Sequence, residues 1–362
     1  MTRDRIWRLL ALVLALTTLL AACGSDKKDK NAGGSTETST AQGATLQATL
    51  NASGATFPQP FYEEAIAAFK EKNSGVTINY AGGGSGKGRA DLASGVVDFA
   101  GSDGLVKPEE KANFKGAFLY FPTVAAPITV SYNLEGVDKL QLSPSTIAKI
   151  FQKQITTWKD PAIAAENPGA KLPATAITVA HRSDGSGTTE NFTKFLKAAT
   201  PDVWKLDSGS TVNWPAGTQA GNGNSGVAQI VKATAGAIGY VDLSDAKAAG
   251  FKFASIKNKA GKFVDPTLDG ASAALAGVTV NPDLTYSPLW ADGEAAYPIT
   301  APTWLLAYKA QADKAKGQAL KAFINFVLTD GQDIAKGANY AKLPDSLRTK
   351  AVAQLDQLMI PT

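Results

Sequence analysis

The sequence predicts an α/β fold built as about two compact units, and three observations carry that prediction. The chain has 362 residues, too many for one small domain at ~100–200 residues per domain. Hydrophobic residues make up 44% and charged residues 19%, enough apolar material for real cores. Strand-like and helix-like patterns alternate between positions 46 and 103, and again between 176 and 241. Such a β-α-β-α-β order predicts parallel strands joined through helices.

The first 22 residues read as a secretory leader. Arg3, Arg5 and Arg8 open the chain, and Leu9 to Leu20 forms an apolar run broken only by Thr17 and Thr18. That run is too short to span a bilayer. Ala21 and Ala22 follow, then Cys23, the only cysteine in the chain. The ending Leu20-Ala21-Ala22-Cys23 resembles a bacterial lipoprotein signal, in which the cysteine thiol takes a lipid and becomes the first residue after cleavage. An ordinary leader cut near Ala22 is the alternative. Positions 23–44 are rich in Gly, Ser, Thr, Ala, Lys and Asp, which predicts a flexible tether.

Each element of the folded part has its own signal. Leu46, Ala48 and Leu50 alternate as a strand that ends before Gly54. Phe61, Ala65, Ile66 and Phe69 sit at helical spacing within Phe61 to Lys72, and Gly75 closes that helix. Val76 to Tyr80 is a short β-branched and aromatic strand. The loop Ala81 to Gly88 follows, then a short helix through Leu92. Val96 to Ala100 is a strand that leads into Gly101-Ser102-Asp103. Further on, Ala176 to Ala180 predicts a strand, His181 to Gly187 a polar loop and Thr188 to Ala199 a helix. Val227 to Ala233 reads as helix, Ala237 to Val241 as strand, Trp304 to Tyr308 as strand, and Gln318 to Leu328 as an amphipathic helix.

Charge and residue counts exclude several chemistries. Lys and Arg total 36 against 32 Asp and Glu, a formal +4, without the concentrated basic face of a nucleic-acid binder. One Cys excludes a disulfide framework and a cysteine-rich zinc site. One His leaves a single candidate imidazole base, His181, and a packed or surface role suits it better. No set of carboxylates carries the spacing of a metal-dependent phosphatase.

Two glycine-serine loops carry the remaining signal. Gly84-Ser85-Gly86 and Gly185-Ser186-Gly187-Thr188 each follow a predicted strand and open a predicted helix. Glycines let backbone N–H groups turn toward one point, and a helix start adds partial positive charge. Either loop alone is also compatible with an ordinary strand-to-helix turn. Neither is a nucleotide loop: Ala81 stands where a Walker loop needs Gly, and Gly88 follows Lys87. Gly221, Gly223 and Gly226 fit G-x-G-x-x-G, but no strand is predicted before them. Ser186 lacks the flanking glycines of a nucleophile elbow, since Asp184 and Thr188 hold those positions. In Arg182-Ser183-Asp184-Gly185-Ser186-Gly187-Thr188, the Arg offers a planar cationic fork to an oxyanion and Asp184 can hold that fork.

At these residues the chain resembles the solute-binding lipoproteins that receive phosphate for the bacterial high-affinity phosphate ABC transporter. The resemblance runs from about Leu50 to the C-terminus. It rests on Gly54-Ala55-Thr56-Phe57-Pro58, the Gly82 to Gly88 loop, Val97 to Asp103, Phe121-Pro122-Thr123, Ile155-Thr156-Thr157-Trp158, Asn167-Pro168-Gly169 and Arg182 to Thr188. Gly236 to Tyr240, Tyr297 to Thr300 and Leu343 to Ser346 extend it.

The resemblance implies a two-lobed periplasmic-binding-protein-like fold of type II. Each lobe would be a mainly parallel sheet flanked by helices, and two hinge strands would join them. Lobe I would be 45–124 plus 297–362, and lobe II 125–296. By matched position, Thr56 and Phe57 would give backbone N–H groups to phosphate, Thr56 also its hydroxyl, and Ser85 hydroxyl and amide. Arg182 would give the charged fork, with Asp184 holding it from behind, while Ser186, Gly187 and Thr188 donate from lobe II. Asp103 would be the one acceptor. Hydrogen phosphate can donate its P–OH to that carboxylate, whereas sulfate has no proton to give.

The expected protein is therefore a monomeric phosphate receptor, anchored through Cys23 on the extracytoplasmic face of the cell membrane. It would serve the transporter's permease and ATPase subunits, with no cofactor, metal, catalytic residue or nucleic-acid partner. A receptor for sulfate or molybdate is the runner-up, and a surface phosphatase stands further off.

Overall fold

The structure is a computed structural model that describes residues 46–362. The expected leader at 1–22, the lipid-bearing Cys23 and the tether at 23–44 lie outside the described residues. The chain opens with β1 (Ala48–Gly54), α1 (Gln59–Lys72), β2 (Val76–Ala81), α2 (Ser85–Ser94), β3 (Phe99–Ser102) and α3 (Pro108–Lys111). The long strand β4 (Phe118–Tyr132) leads to β5 (Gln141–Leu142), α4 (Pro144–Phe151) and α5 (Pro161–Glu166). Next come β6 (Thr178–Arg182), α6 (Gly187–Ala199), β7 (Gln219–Gly221), α7 (Gly223–Ala233), β8 (Ala237–Asp242) and α8 (Leu243–Ala248). The chain ends with β9 (Lys252–Phe253), β10 (Ser255–Lys257), β11 (Phe263–Val264), α9 (Leu268–Leu275), β12 (Thr300–Tyr308), α10 (Lys314–Leu328), α11 (Gln332–Ala335) and α12 (Asp345–Gln354).

The main sheet has the order β2-β1-β3-β12-β4-β8-β6-β7, with β9 paired to β4. At both ends the strands are parallel, β1 with β2 and β3, and β6 with β7 and β8. In the middle they are antiparallel, β12 against β3 and β4, and β4 against β8. The mixture has a physical cause. A short βα connection returns the chain parallel, whereas β4 and β12 arrive from outside each βαβ unit and can run either way. β4 belongs to both halves: Phe118–Pro127 pairs with β12 and Ile128–Tyr132 with β8. This is the two-lobed fold of a periplasmic-type binding protein, with β4 and β12 between the lobes.

Aromatic packing fixes helices to each half. Phe69 of α1 meets Phe323 of α10 edge-on at 5.4 Å, and Phe323 also meets Phe99 of β3 at 5.7 Å. In the other half Phe192 of α6 stacks on Tyr240 of β8 at 4.4 Å and meets Phe151 of α4 at 4.8 Å. Rings at these separations gain ~0.5–1.5 kcal/mol beyond their burial.

Beyond shifts at element ends such as the earlier starts of β12 and α10, four departures from the sequence reading lie in the segments around the two loops. α2 begins at Ser85, inside the glycine loop, because Gly84 adopts φ +91° and turns the chain directly into the helix. β6 continues through His181 and Arg182, so the polar loop shrinks to 183–186 and α6 starts at Gly187. β3 begins at Phe99 rather than Val96. A strand does precede the G-x-G-x-x-G segment, since β7 spans Gln219–Gly221 and pairs with β6. Its local pattern is too polar to show as a strand; the partner strand imposes it.

Candidate functional site

Four helix starts converge on one cleft. Thr56 and Phe57 fill the turn between β1 and α1, whose start has no side-chain cap and no acidic residue in its first turn. α2 starts at Ser85 with neither as well. α6 starts behind Ser186, whose Oγ accepts the Thr189 N–H at 3.0 Å, leaving the Ser186 hydroxyl proton free to donate. α7 starts at Gly223. Each start carries about half a positive charge, and the starts of α1 and α2, which no side chain caps, are receptors for anions.

Hydrogen bonds between the two halves of the sheet hold the cleft closed. Gly86 N–H donates to Gly185 O at 2.8 Å. The Asn191 amide donates to Asp103 O at 2.6 Å, and Asn224 N–H to Thr56 Oγ1 at 3.3 Å. The glycines are needed for this approach. A Cβ on Gly187 would stand 2.6 Å from Asp103 Cβ, and one on Gly84 2.6 Å from Gly185 O.

Arg182, at the end of β6, supplies the cationic fork. It is 4% exposed. Its Nε donates to Asp184 Oδ1 at 2.7 Å and its Nη2 to Asp184 Oδ2. Nη1 donates to Asn224 Oδ1 at 2.6 Å and stands 3.5 Å from Thr188 Oγ1. One edge of the guanidinium is thus fixed from behind, and the remaining Nη hydrogens are left for an anion. Burial alone would raise the Asp184 carboxyl, but the Arg182 hydrogen bonds and charge outweigh it and hold it below the usual carboxylate range.

Asp103 follows β3 and is 2% exposed. Its N–H donates to Ser85 Oγ at 3.0 Å, and Ser85 Oγ stands 3.3 Å from Asp103 Oδ2. Oδ1 is buried with no hydrogen-bond partner. Burial pushes the carboxyl up to about 7, against the pull of Thr303, Arg182 and Ser85 and with the help of Glu190. A buried acceptor left unmatched costs ~1–3 kcal/mol or more. This oxygen therefore favours a guest that brings a proton.

The sequence-predicted phosphate-site residues lie in or against this cleft, with Thr56 and Asp184 partly exposed and Phe57, Ser85, Asp103, Arg182, Ser186, Gly187 and Thr188 buried, while Cys23 lies outside the described residues. Phe57 is also anchored from behind, its carbonyl accepting the Tyr340 hydroxyl at 2.6 Å. Asn224 and Asn191, which also bind across or behind the cleft, escaped the sequence reading. The signal for Asn224 is the G-x-G-x-x-G segment that contains it, whose preceding strand β7 forms only by pairing with β6.

Two basic residues near the first loop are each paired with a carboxylate. Arg89 is buried and gives Nε to Glu110 at 2.7 Å and Nη1 to Ser102 at 3.2 Å, while Lys87 pairs with Asp91 at 2.6 Å. His181 is not poised as a base. It stacks on Trp214 at 4.9 Å and bonds Thr218 Oγ1 and Arg182 O, and burial lowers its pKa.

A family model described as a PBP superfamily domain matches residues 39–331. The phosphate-binding protein PstS of Pasteurella multocida is 35% identical over 84% of this chain and 89% of its own length. PstS of Methanocaldococcus jannaschii is 35% identical over 95% and 94%. Among solved structures, a periplasmic phosphate-binding protein with phosphate bound at pH 8.5 superposes with TM-score 0.72 at 24% identity, covering 85% of this chain and 94% of that one. A phosphate-binding protein from Stenotrophomonas maltophilia gives 0.68 at 22% identity, with coverage of 85% and 94%. The chain belongs to the PBP superfamily and, within it, to the PstS family of phosphate-binding proteins.

Proposed function

We propose that this protein binds inorganic phosphate in the cleft between lobe I (45–124 plus 297–362) and lobe II (125–296), and delivers it to the permease of an ABC transporter, whose ATPase subunits complete the partner complex. One observation carries the choice of ligand. Asp103 Oδ1 is a buried, unmatched acceptor in a cleft otherwise furnished with donors. Hydrogen phosphate satisfies it with a P–OH; sulfate would set an oxygen against the carboxylate. A site built around a specific hydrogen bond rejects the analogue that lacks it by ~10⁴–10⁵.

The donors are Thr56, Phe57, Ser85, Arg182, Ser186, Gly187 and Thr188, with Asp184 steadying Arg182. Micromolar affinity needs about −8 kcal/mol. Several charge-assisted hydrogen bonds at ~1.5–3 kcal/mol each supply it after the cost of closure. The protein has no reaction to perform: it is a monomeric receptor, not an enzyme. The leader and Leu20-Ala21-Ala22-Cys23 support a lipid anchor at Cys23 on the extracytoplasmic face. More than one acyl chain makes such anchoring stable. No helix of the described residues is long and apolar enough to cross a membrane.

Titration calorimetry at pH 8 tests the reading. Phosphate is expected to bind saturably in the presence of a large excess of sulfate. Preferential sulfate or molybdate binding would overturn it. Labelled palmitate is expected to enter the wild-type chain in cells and not Cys23→Ser; equal labelling of both would remove the anchor.

A further inference from the structure

The start of α7 touches three residues of the proposed phosphate site at once. Asn224 is fully buried. Its Oδ1 accepts from Arg182 Nη1 at 2.6 Å, and its Nδ2 donates to Asp242 Oδ2 at 2.7 Å. Asp242 is itself fully buried, and its Oδ1 caps α8 by accepting the Asp245 N–H at 3.0 Å. Gly223 N–H donates to Asp184 Oδ1 at 3.0 Å, on the same carboxylate that grips Arg182. From this single point the Asn224 N–H reaches across the cleft to Thr56 Oγ1 at 3.3 Å.

The chemistry of each partner fixes what Asn224 must do. Arg182 has only donors, so the amide must present its oxygen to it, and Asp242 behind holds the amide in that orientation. The guanidinium is then held on both sides, by Asp184 and by Asn224, with its free hydrogens aimed at the cleft. Thr56 Oγ1 accepts from Asn224, so its own hydroxyl proton is released toward the ligand. A bound oxyanion is gripped by Arg182 from one half of the sheet and by Thr56 from the other.

We propose that Asn224 is a positioning residue for the cleft: through its Oδ1 it sets the Arg182 fork, and through its N–H it ties that fork to Thr56 on the opposite wall, so that seating the arginine and closing the cleft are one event. The inference rests on the reading of the cleft as a phosphate site. Groups placed this way act by lowering the cost of ordering the residues that touch the ligand. Loss of such a group appears chiefly in the dissociation rate.

A double-mutant cycle with Arg182 tests it, using inorganic phosphate and the full chain. Asn224→Ala, and Asn224→Ser as the variant that keeps a short polar group at a helix start, are each expected to weaken phosphate about tenfold or more, mainly by faster release. The phosphate-free variants should melt lower, because Arg182 Nη1 and Asp242 Oδ2 each lose a buried partner, so affinity and release are compared at a temperature where every variant is folded. In an Arg182→Lys background, which keeps the charge but loses the fork, the further loss should shrink to about threefold or less, because the residue through which Asn224 acts is gone. Unchanged phosphate affinity in both Asn224 variants overturns the proposal. So does the same fold-loss in both backgrounds, which would give Asn224 a role independent of Arg182. Failure of the unaltered chain to bind phosphate would overturn the reading of the cleft instead; the same cycle is then run with the oxyanion it does bind.

Discussion

Burial raises the Asp103 carboxyl to about 7, and two consequences follow at the scale of this residue. The unfolded carboxyl titrates near its ordinary value of ~3.9. The native state therefore holds more protons between about pH 4 and 7, and stability falls as pH rises through that window. Asp103→Asn removes the penalty. The phosphate-free variant should melt above the wild type at pH 8, with the difference vanishing near pH 4; melting curves across pH check this. The second consequence concerns selectivity. Below about 7 Asp103 carries a proton and can donate to a sulfate oxygen. Phosphate preference over sulfate should therefore weaken as pH drops from 8 to 5, and Asp103→Asn should show little preference at any pH. Competition calorimetry at the two pH values reads both outcomes.

At the scale of elements, the four helix starts bring their charge to the cleft only because glycine lets them meet. Gly187 is the sharpest case, with its α6 backbone pressed on Asp103 and Ser85 across the closed cleft. A methyl group there has no room. Overpacking of this kind costs ~1–3 kcal/mol, so Gly187→Ala should weaken phosphate by about tenfold to a hundredfold. Melting of the phosphate-free chain should change little, because an opened cleft relieves the clash. An affinity for phosphate equal to wild type would mean that α6 does not approach the other wall this closely.

The described residues pack together as one compact unit, with β4 threading both halves of the sheet. Ligand that bridges the halves should stabilise all of it together. At a hundredfold excess over its Kd, phosphate is expected to add ~2.7 kcal/mol to unfolding, in a single denaturant transition followed by both fluorescence and circular dichroism. Amide exchange should slow on both cleft walls, around Thr56, Ser85 and Ser186, while β4 and β12 change little. Protection confined to one half would show that the ligand does not bridge them.

Neighbouring residues alone carried the local elements and much of the chemistry of the cleft. β1, α1, β2, α6 and β8 were legible because apolar periodicity is a local signal, and both glycine-serine loops were legible because turn and helix-start residues act over a few positions. The resemblance added Thr56, Phe57 and Asp103, for which local pattern offered no role. Some of the same shared segments serve the fold instead: Trp158 is fully buried with Nε1 bonded to Gly236 O, and Asn167 bonds both N–H and C=O of Gln141. The antiparallel middle of the sheet, the strand Gln219–Gly221 and the burial of Arg89 came from long-range packing. It alone placed Asn224 between Arg182 and Thr56, residues 42 and 168 positions away. The physical reason is common to all of these. Strand pairing, burial of a charge and the orientation of an amide depend on partners distant in the chain, and no window of neighbouring residues contains them.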